Sequence, residues 1–183
     1  MGLKLFGKNI LQVYTHKIMK VDYNTAKKTP AKSSYTLRKI NNDIISDELA
    51  SIGTTVTVSN LKHLLRVNGS RCEGFIFEGK DTPIGTIWVM YRGANDLEYR
   101  IRNIDAYIFD VYVNSLHRGK GYAGEMICQL MEYLHDKDIN TAYLAVSISN
   151  KSALRAYKKT GFTTVTDKKF ARFLKINIPY HKL

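Results

Sequence analysis

Apolar and polar positions recur along this chain with periods that predict most of its elements. Tyr35–Ile40 alternates like a strand. Short helices are predicted around Asp43–Ser51 and Ser59–Val67, the second with Ser59 as its cap. Asn68-Gly69 is a turn signal. Cys72–Glu78 and Pro83–Tyr91 read as strands joined by Gly79-Lys80-Asp81, a hairpin. A polar segment, Arg92–Asp105, precedes another apolar strand, Ala106–Val113. Next comes a helix over Gly121–His135, with Ala123, Met126, Ile127, Leu130, Met131 and Leu134 at 3–4 spacing. A strand is predicted at Thr141–Val146 and a helix over Lys151–Thr160, stopped by Gly161. Phe162–Val165 and Phe170–Ile176 complete the pattern as two closing strands. These elements predict a mixed α/β sheet with a strand–helix–strand–helix unit late in the chain.

The first 34 residues read differently. Leu3, Phe6, Ile10, Leu11, Tyr14, Ile18 and Val21 fall near one face at helical spacing. They predict a helix docked on the rest of the protein, although the same stretch accommodates a strand around Ile10–Tyr14. Lys27–Ser34 is polar and contains proline, as in a linker. The chain is therefore divided into a basic N-terminal arm, residues 1–34, and one domain, residues 35–183.

Composition narrows the class. The 183 residues suffice for one domain with a substantial core, and 44% hydrophobic content argues against disorder. No apolar run is long enough to span a membrane, and no cleavage site follows an apolar N-terminal core. Two cysteines, Cys72 and Cys128, make no disulfide framework and fit a reducing cytoplasm. The five histidines show no metal-ligand spacing, so no metal is expected. The net charge of +12 invites a polyanionic partner. It is uneven: residues 1–40 carry nine cations and one anion, residues 41–117 seven and ten, and residues 118–183 twelve and five. No nucleic-acid recognition motif accompanies these cations, which argues against nucleic acid.

The C-terminal excess begins where the chemistry concentrates. Val111-Tyr112-Val113 runs into Asn114-Ser115-Leu116-His117, then Arg118-Gly119-Lys120-Gly121-Tyr122-Ala123-Gly124, which opens a helix. The first N–H groups of a helix lack internal partners and, with the macrodipole, attract anions. Glycines admit a phosphate to the backbone, and Arg118 and Lys120 add charge. A phosphate-bearing ligand, such as a pyrophosphate, is the physical expectation. Gly119, Gly121 and Gly124 also spell G-x-G-x-x-G, but the turn is not tight and no acid ends the next strand, so a dinucleotide fold fits poorly.

Arg118-x-x-Gly121-x-Ala123 matches the R/Q-x-x-G-x-G/A signature of the GCN5-related N-acetyltransferase (GNAT) superfamily. Asn150-x-x-Ala153-Leu154-x-Ala156-Tyr157-Lys158-Lys159-x-Gly161-Phe162 is similar to that family's N-x-x-A-x-x-x-Y-x-x-x-G-F pattern, in the family's order and spacing. The resemblance covers about residues 35–177. One departure is Ser115, where many members have proline.

The resemblance implies an α+β fold: a mixed, mostly antiparallel sheet of six or seven strands, flanked by about four helices and splayed between its fourth and fifth strands. It implies acetyl-CoA as cosubstrate, with Val111, Tyr112 and Val113 along the pantetheine arm and backbone groups of Arg118, Gly119, Lys120, Gly121, Tyr122, Ala123 and Gly124 on the pyrophosphate. Asn150 either bonds that arm or caps its helix. Tyr157 occupies the general-acid position, with packing on the sheet as its other reading. Asp110, a carboxylate in an otherwise apolar strand, is a candidate general base, substrate anchor or salt-bridge partner. Some relatives place the acid three positions earlier, at Tyr107, and a strand bulge changes the face a residue points to. Cys128 is expected in the core. The implied reaction is acetyl transfer to a small amine or a peptide amine, in a monomer or a homodimer. A non-catalytic CoA-binding sensor or scaffold is the alternative. The acceptor pocket falls in residues 43–67, 92–105 and 166–174, and the mildly acidic middle of the chain suits a cationic amine such as a polyamine, an aminoglycoside, an amino sugar or a peptide N-terminus.

Overall fold

A computed structural model describes residues 2–5, 8–26, 34–40, 49, 52–54, 56–80, 82–94, 105–173 and 176–179, with side chains described only within residues 15–169. The described strands are β1 (Gly2–Leu5), β2 (Lys8–Asp22), β3 (Thr36–Lys39), β4 (Cys72–Gly79), β5 (Thr82–Tyr91), β6 (Ala106–Val113), β7 (Thr141–Ser147), β8 (Thr163–Phe173) and β9 (Ile176–Pro179). The helices are α1 (Val58–Asn68), α2 (Tyr122–His135) and α3 (Lys151–Lys159). They build one mixed sheet in the order β3-β4-β5-β6-β7-β2-β8-β9, with β1 also paired to β2. Strands β6 and β7 run parallel, and the other described pairs are antiparallel. Strands β3–β9 fall in the part of the chain that carries the family resemblance, which implies six or seven, and β2 of the arm lies inside the same sheet.

Three sequence expectations change. The helix predicted in the arm is a strand: residues 8–22 pair with β7 on one edge and β8 on the other, from His16 opposite Ser147 to Asp22 opposite Thr141. Met19 and Val21 are buried while Ile18 and Lys20 are half-buried, a period of two. The two predicted closing strands merge into one, β8, followed by β9. The cap of α1 is Thr57, whose hydroxyl accepts from the Asn60 N–H at 3.3 Å, rather than Ser59. The helix predicted over 43–51 lies almost wholly outside the described residues.

The sheet carries a core on each face. Helices α2 and α3 cover one with Met126, Ile127, Leu130 and Leu154, packed on Phe75, Phe77, Ile87, Ile108 and Leu144. On the other face Leu61, Leu64 and Leu65 of α1 meet Ile76, Trp88, Met90 and Tyr107. Alternation along β4 and β5 divides the residues between the two cores, and it leaves Glu73, 6% exposed, on the α2 side.

Candidate active site

The site forms where β6 and β7 separate. The two strands pair only from Ala106 opposite Ala142 to Ile108 opposite Leu144. Beyond this point Phe109–Val113 remain joined to β5 alone, and all five are half-buried. Strand β7 meanwhile stays paired with β2 on its other edge, with Ala145, Val146 and Ser147 opposite Ile18, Lys17 and His16.

A bulge sits at the fork. Trp88 pairs with Phe109 and Thr86 with Tyr112, so Ile87 faces two residues, Asp110 and Val111. Asp110 takes φ +47°, which L-residues rarely adopt. The extra residue resets the alternation: Ile108 and Val111 both face the α2 core, and Phe109 and Tyr112 both face the α1 core. Asp110 thereby leaves the regular series, and its Oδ1 accepts from the Val56 N–H at 3.2 Å.

Tyr157 projects from α3 into the same region. It is 9% exposed and packs its ring 5.9 Å from that of Phe162. Burial, and then the negative charge of Asp110, push its phenol up to about 12. The structure therefore brings the sequence-predicted acid and base candidates into electrostatic contact.

The glycine-rich loop follows. Asn114 ends β6: its N–H donates to the Ile84 carbonyl at 2.8 Å, and its Oδ1 accepts from the Leu116 N–H at 3.1 Å, starting a short 3₁₀ turn over Ser115–His117. Gly119 and Gly121 have φ of +79° and +91°, and nothing lies within 4 Å of where either Cβ would stand. They are needed for their backbone conformation, not for space. Gly121 is the N-cap of α2, and no side chain bonds the N–H groups of that helix start. A negatively charged group is the natural complement of such a start.

The Arg118 side chain has partners on β6. Its Nε donates to the Val113 carbonyl at 2.9 Å, and its guanidinium lies 5.5 Å from the centre of the Tyr112 ring. The side chain thus folds back on β6. Asn114 N–H bonds β5, and the Tyr112 carbonyl lies 2.5 Å from the place of a Gly85 Cβ, so both face β5. Backbone groups alternate sides along a strand, so those of Val113 point into the opening. Asn150 caps α3, with Oδ1 accepting from the Ala153 N–H at 3.1 Å and the Ser152 hydroxyl at 3.0 Å.

Sequence reasoning missed Asn114 and the side-chain role of Arg118. For Asn114 a signal existed, since an asparagine before Ser-Leu-His is a common turn former. A cavity of about 440 Å³ between β3 and α2, lined by Tyr35, Leu37, Phe75, Gln129 and Tyr133 among others, shares none of the residues at the fork. Among the described residues no three His, Cys, Asp or Glu side chains gather as for a metal, and no helix is long and apolar enough to cross a membrane.

The model of the Acetyltransferase (GNAT) family matches residues 41–162, and the chain belongs to that family. No curated protein matches it by sequence. Solved structures share the fold at low identity. A GCN5-related N-acetyltransferase from Sphaerobacter thermophilus is 13% identical with a TM-score of 0.65, over 91% of this chain and 54% of that one. A protein from Clostridium acetobutylicum described as a predicted acetyltransferase, solved with acetyl-CoA, is 19% identical with a TM-score of 0.52, over 72% and 91%. An IAA acetyltransferase from Bacillus cereus is 15% identical with a TM-score of 0.54, over 69% and 75%. The chain spans 61%, 52% and 63% of three other structures of this fold. The family's acyl donor is acetyl-CoA, and the residues present fit it: an opened strand edge leads to an uncapped helix start beside two left-handed glycines.

Proposed function

We propose that the protein is an acetyl-CoA-dependent N-acetyltransferase that moves an acetyl group to a primary amine by direct attack, with both substrates bound. The observation that carries this reading is the opening between β6 and β7, which ends at a helix start that no side chain caps. Acetyl-CoA supplies the acetyl group as a thioester. Val111, Tyr112 and Val113 line its arm, and backbone groups of Arg118, Gly119, Lys120, Gly121, Tyr122, Ala123 and Gly124 hold its pyrophosphate. The amide nitrogen of Asn150 supports the arm while Oδ1 keeps the helix cap. The N–H of Val113 polarises the carbonyl.

Tyr157 and Asp110 divide the proton work. Asp110 draws the ammonium and takes a proton from its nitrogen, and the Tyr157 hydroxyl delivers one to the departing sulfur. An N–C bond forms and a C–S bond breaks; the ammonium loses two protons, one through Asp110 to solvent before attack and one after it, and the second balances the proton gained at sulfur. The two groups are coupled in a useful direction. The charge of Asp110 helps to hold the Tyr157 proton, so a proton arriving at Asp110 eases its release.

The test is release of free CoA thiol by the purified full chain against a panel of amines. Tyr157→Phe is expected to lower kcat about 100-fold with CoA affinity essentially unchanged. Because the phenol is pushed from 10.0 to about 12, Tyr157 stays protonated and kcat shows no falling limb below pH 10. An unchanged kcat removes Tyr157 as the acid. Tight CoA binding without turnover of any amine favours a non-catalytic CoA sensor or scaffold.

A further inference from the structure

The two faces of the sheet are unequally covered at the fork. On the side of α2 and α3, Ala142, Leu144 and Val146 of β7 are buried. On the other side, Phe109, Tyr112, Tyr143 and Ala145 are half-buried and continuous with the cluster around Trp88 and Tyr107. Tyr143 registers with Tyr107 two positions before the fork, and the Phe109 ring lies 6.2 Å from that of Trp88. Val56 and Val58 flank the same cluster. The result is a partly open, mainly aromatic surface that ends at the bulge of Asp110.

Charge around this surface is asymmetric. Among residues 109–113 and 143–147, Asp110 is the only acid. On the next strand Lys20, opposite Tyr143, is ion-paired with Asp22 at 3.2 Å, and Ile18 stands opposite Ala145. Among the described residues of these strands, a long polycation laid along the face would find for its remote ammonium groups only Asp22, which Lys20 already pairs. One ammonium at the fork, followed by a flat apolar body, meets a carboxylate and then aromatic rings.

We propose that this face receives the acceptor, and that the acceptor is an arylalkylamine: one primary amine on a flat apolar body. The inference rests on the N-acetyltransferase reading and replaces the polyamine and aminoglycoside classes that the acidic middle of the sequence suggested. Phe109 and Tyr143 are its specificity-determining residues, and Trp88, the chain's single tryptophan, reports occupancy through its emission.

The experiment titrates the full chain, saturated with CoA, with 2-phenylethylamine, spermidine and kanamycin, following Trp88 emission. Thiol release is then measured with acetyl-CoA and the same amines. The expected result is saturable binding of phenylethylamine and a kcat/KM at least tenfold above that for spermidine or kanamycin. Tyr143→Ala is expected to weaken phenylethylamine about tenfold, and Tyr143→Phe to restore it. Preference for spermidine or kanamycin, or no saturable response to phenylethylamine, overturns the inference. Binding of phenylethylamine without turnover of any amine overturns the transferase reading and leaves the binding surface standing.

Discussion

Replacing Arg118 by lysine and by alanine separates two roles for that side chain. As a phosphate contact it would act mainly through its charge, which lysine retains. As a clamp on β6 it acts through a planar group that bonds the Val113 carbonyl at 2.9 Å while lying 5.5 Å from the Tyr112 ring centre. Lysine supplies neither the fixed fork nor the flat face. The magnitude follows from the two contacts. A hydrogen bond of this kind contributes about 0.5–1.5 kcal/mol, and an exposed cation over an aromatic ring about 0.5–1 kcal/mol. Because Arg118 is exposed, the lowest third of the combined range applies, about 1–1.5 kcal/mol, or roughly 5–12-fold at about 1.4 kcal/mol per tenfold. The loss falls on the orientation of Val113, whose backbone points into the opening, and so on kcat rather than on CoA affinity. The assay is kcat by thiol release with the acceptor found in the amine screen, alongside the acetyl-CoA Kd at two ionic strengths. Both variants are expected to lose kcat by roughly 5–12-fold with little change in Kd or its salt dependence. If lysine preserves Kd while alanine weakens it and flattens the salt response, Arg118 is a phosphate contact and the clamp is refuted.

Asn150 allows a similar separation by chemistry. Asn150→Asp keeps the acceptor that caps the Ala153 N–H but loses the amide donor. It should hold stability in urea unfolding while raising KM for acetyl-CoA, whereas Asn150→Ala should also cost about 1 kcal/mol of stability; equal KM for wild type and Asn150→Asp removes the cofactor contact. Glu73 predicts an acid limit to stability. Burial alone would raise its pKa, but Lys39 at 2.6 Å, Tyr91, Lys137 at 3.1 Å and Tyr133 at 3.0 Å all donate to it and hold the carboxyl below its ordinary value of 4.5. A depressed carboxyl stabilises the fold above that value and loses its contribution as pH falls through the folded-state pKa. Glu73→Gln should therefore cost about 2 kcal/mol at neutral pH and lessen the fall of stability with acid; an unchanged acid profile would show that another group sets it.

Much of the site was legible in the residues because its signals are local. The Ala106–Val113 strand, the loop with Gly119 and Gly121, and the helix from Tyr122 are adjacent in sequence, and the left-handed φ values of the two glycines are of the kind that glycine adopts most readily. Gly161 follows from a helix stop in the same way, and Tyr157 from the family pattern that its segment resembles. The bulge at Asp110 was not legible. It exists only in the register of β6 against β5, where Ile87 faces two residues, and nothing within Phe109-Asp110-Val111 encodes its partner. The direction of the Arg118 side chain was hidden for the same reason, since its contacts depend on which way the Val113 carbonyl points.

The N-terminal stretch shows where the boundary lies. By itself the sequence determined the order of the later elements and the glycine-rich helix start, because alternation, helical period and glycine conformation act over a few residues, while the acid candidate came from the family pattern that its residues resemble. It also placed Leu3, Ile10, Leu11, Ile18 and Val21 at helical spacing. Only the tertiary structure decided that residues 8–22 are a strand, because the decisive bonds go to β7 and β8, 119 or more residues away. A bare edge of β7 would leave its N–H and C=O groups without partners. Satisfying that edge outweighs a local preference worth a few tenths of a kcal/mol per residue, and β7 keeps that pairing past the point where it leaves β6 and the site opens.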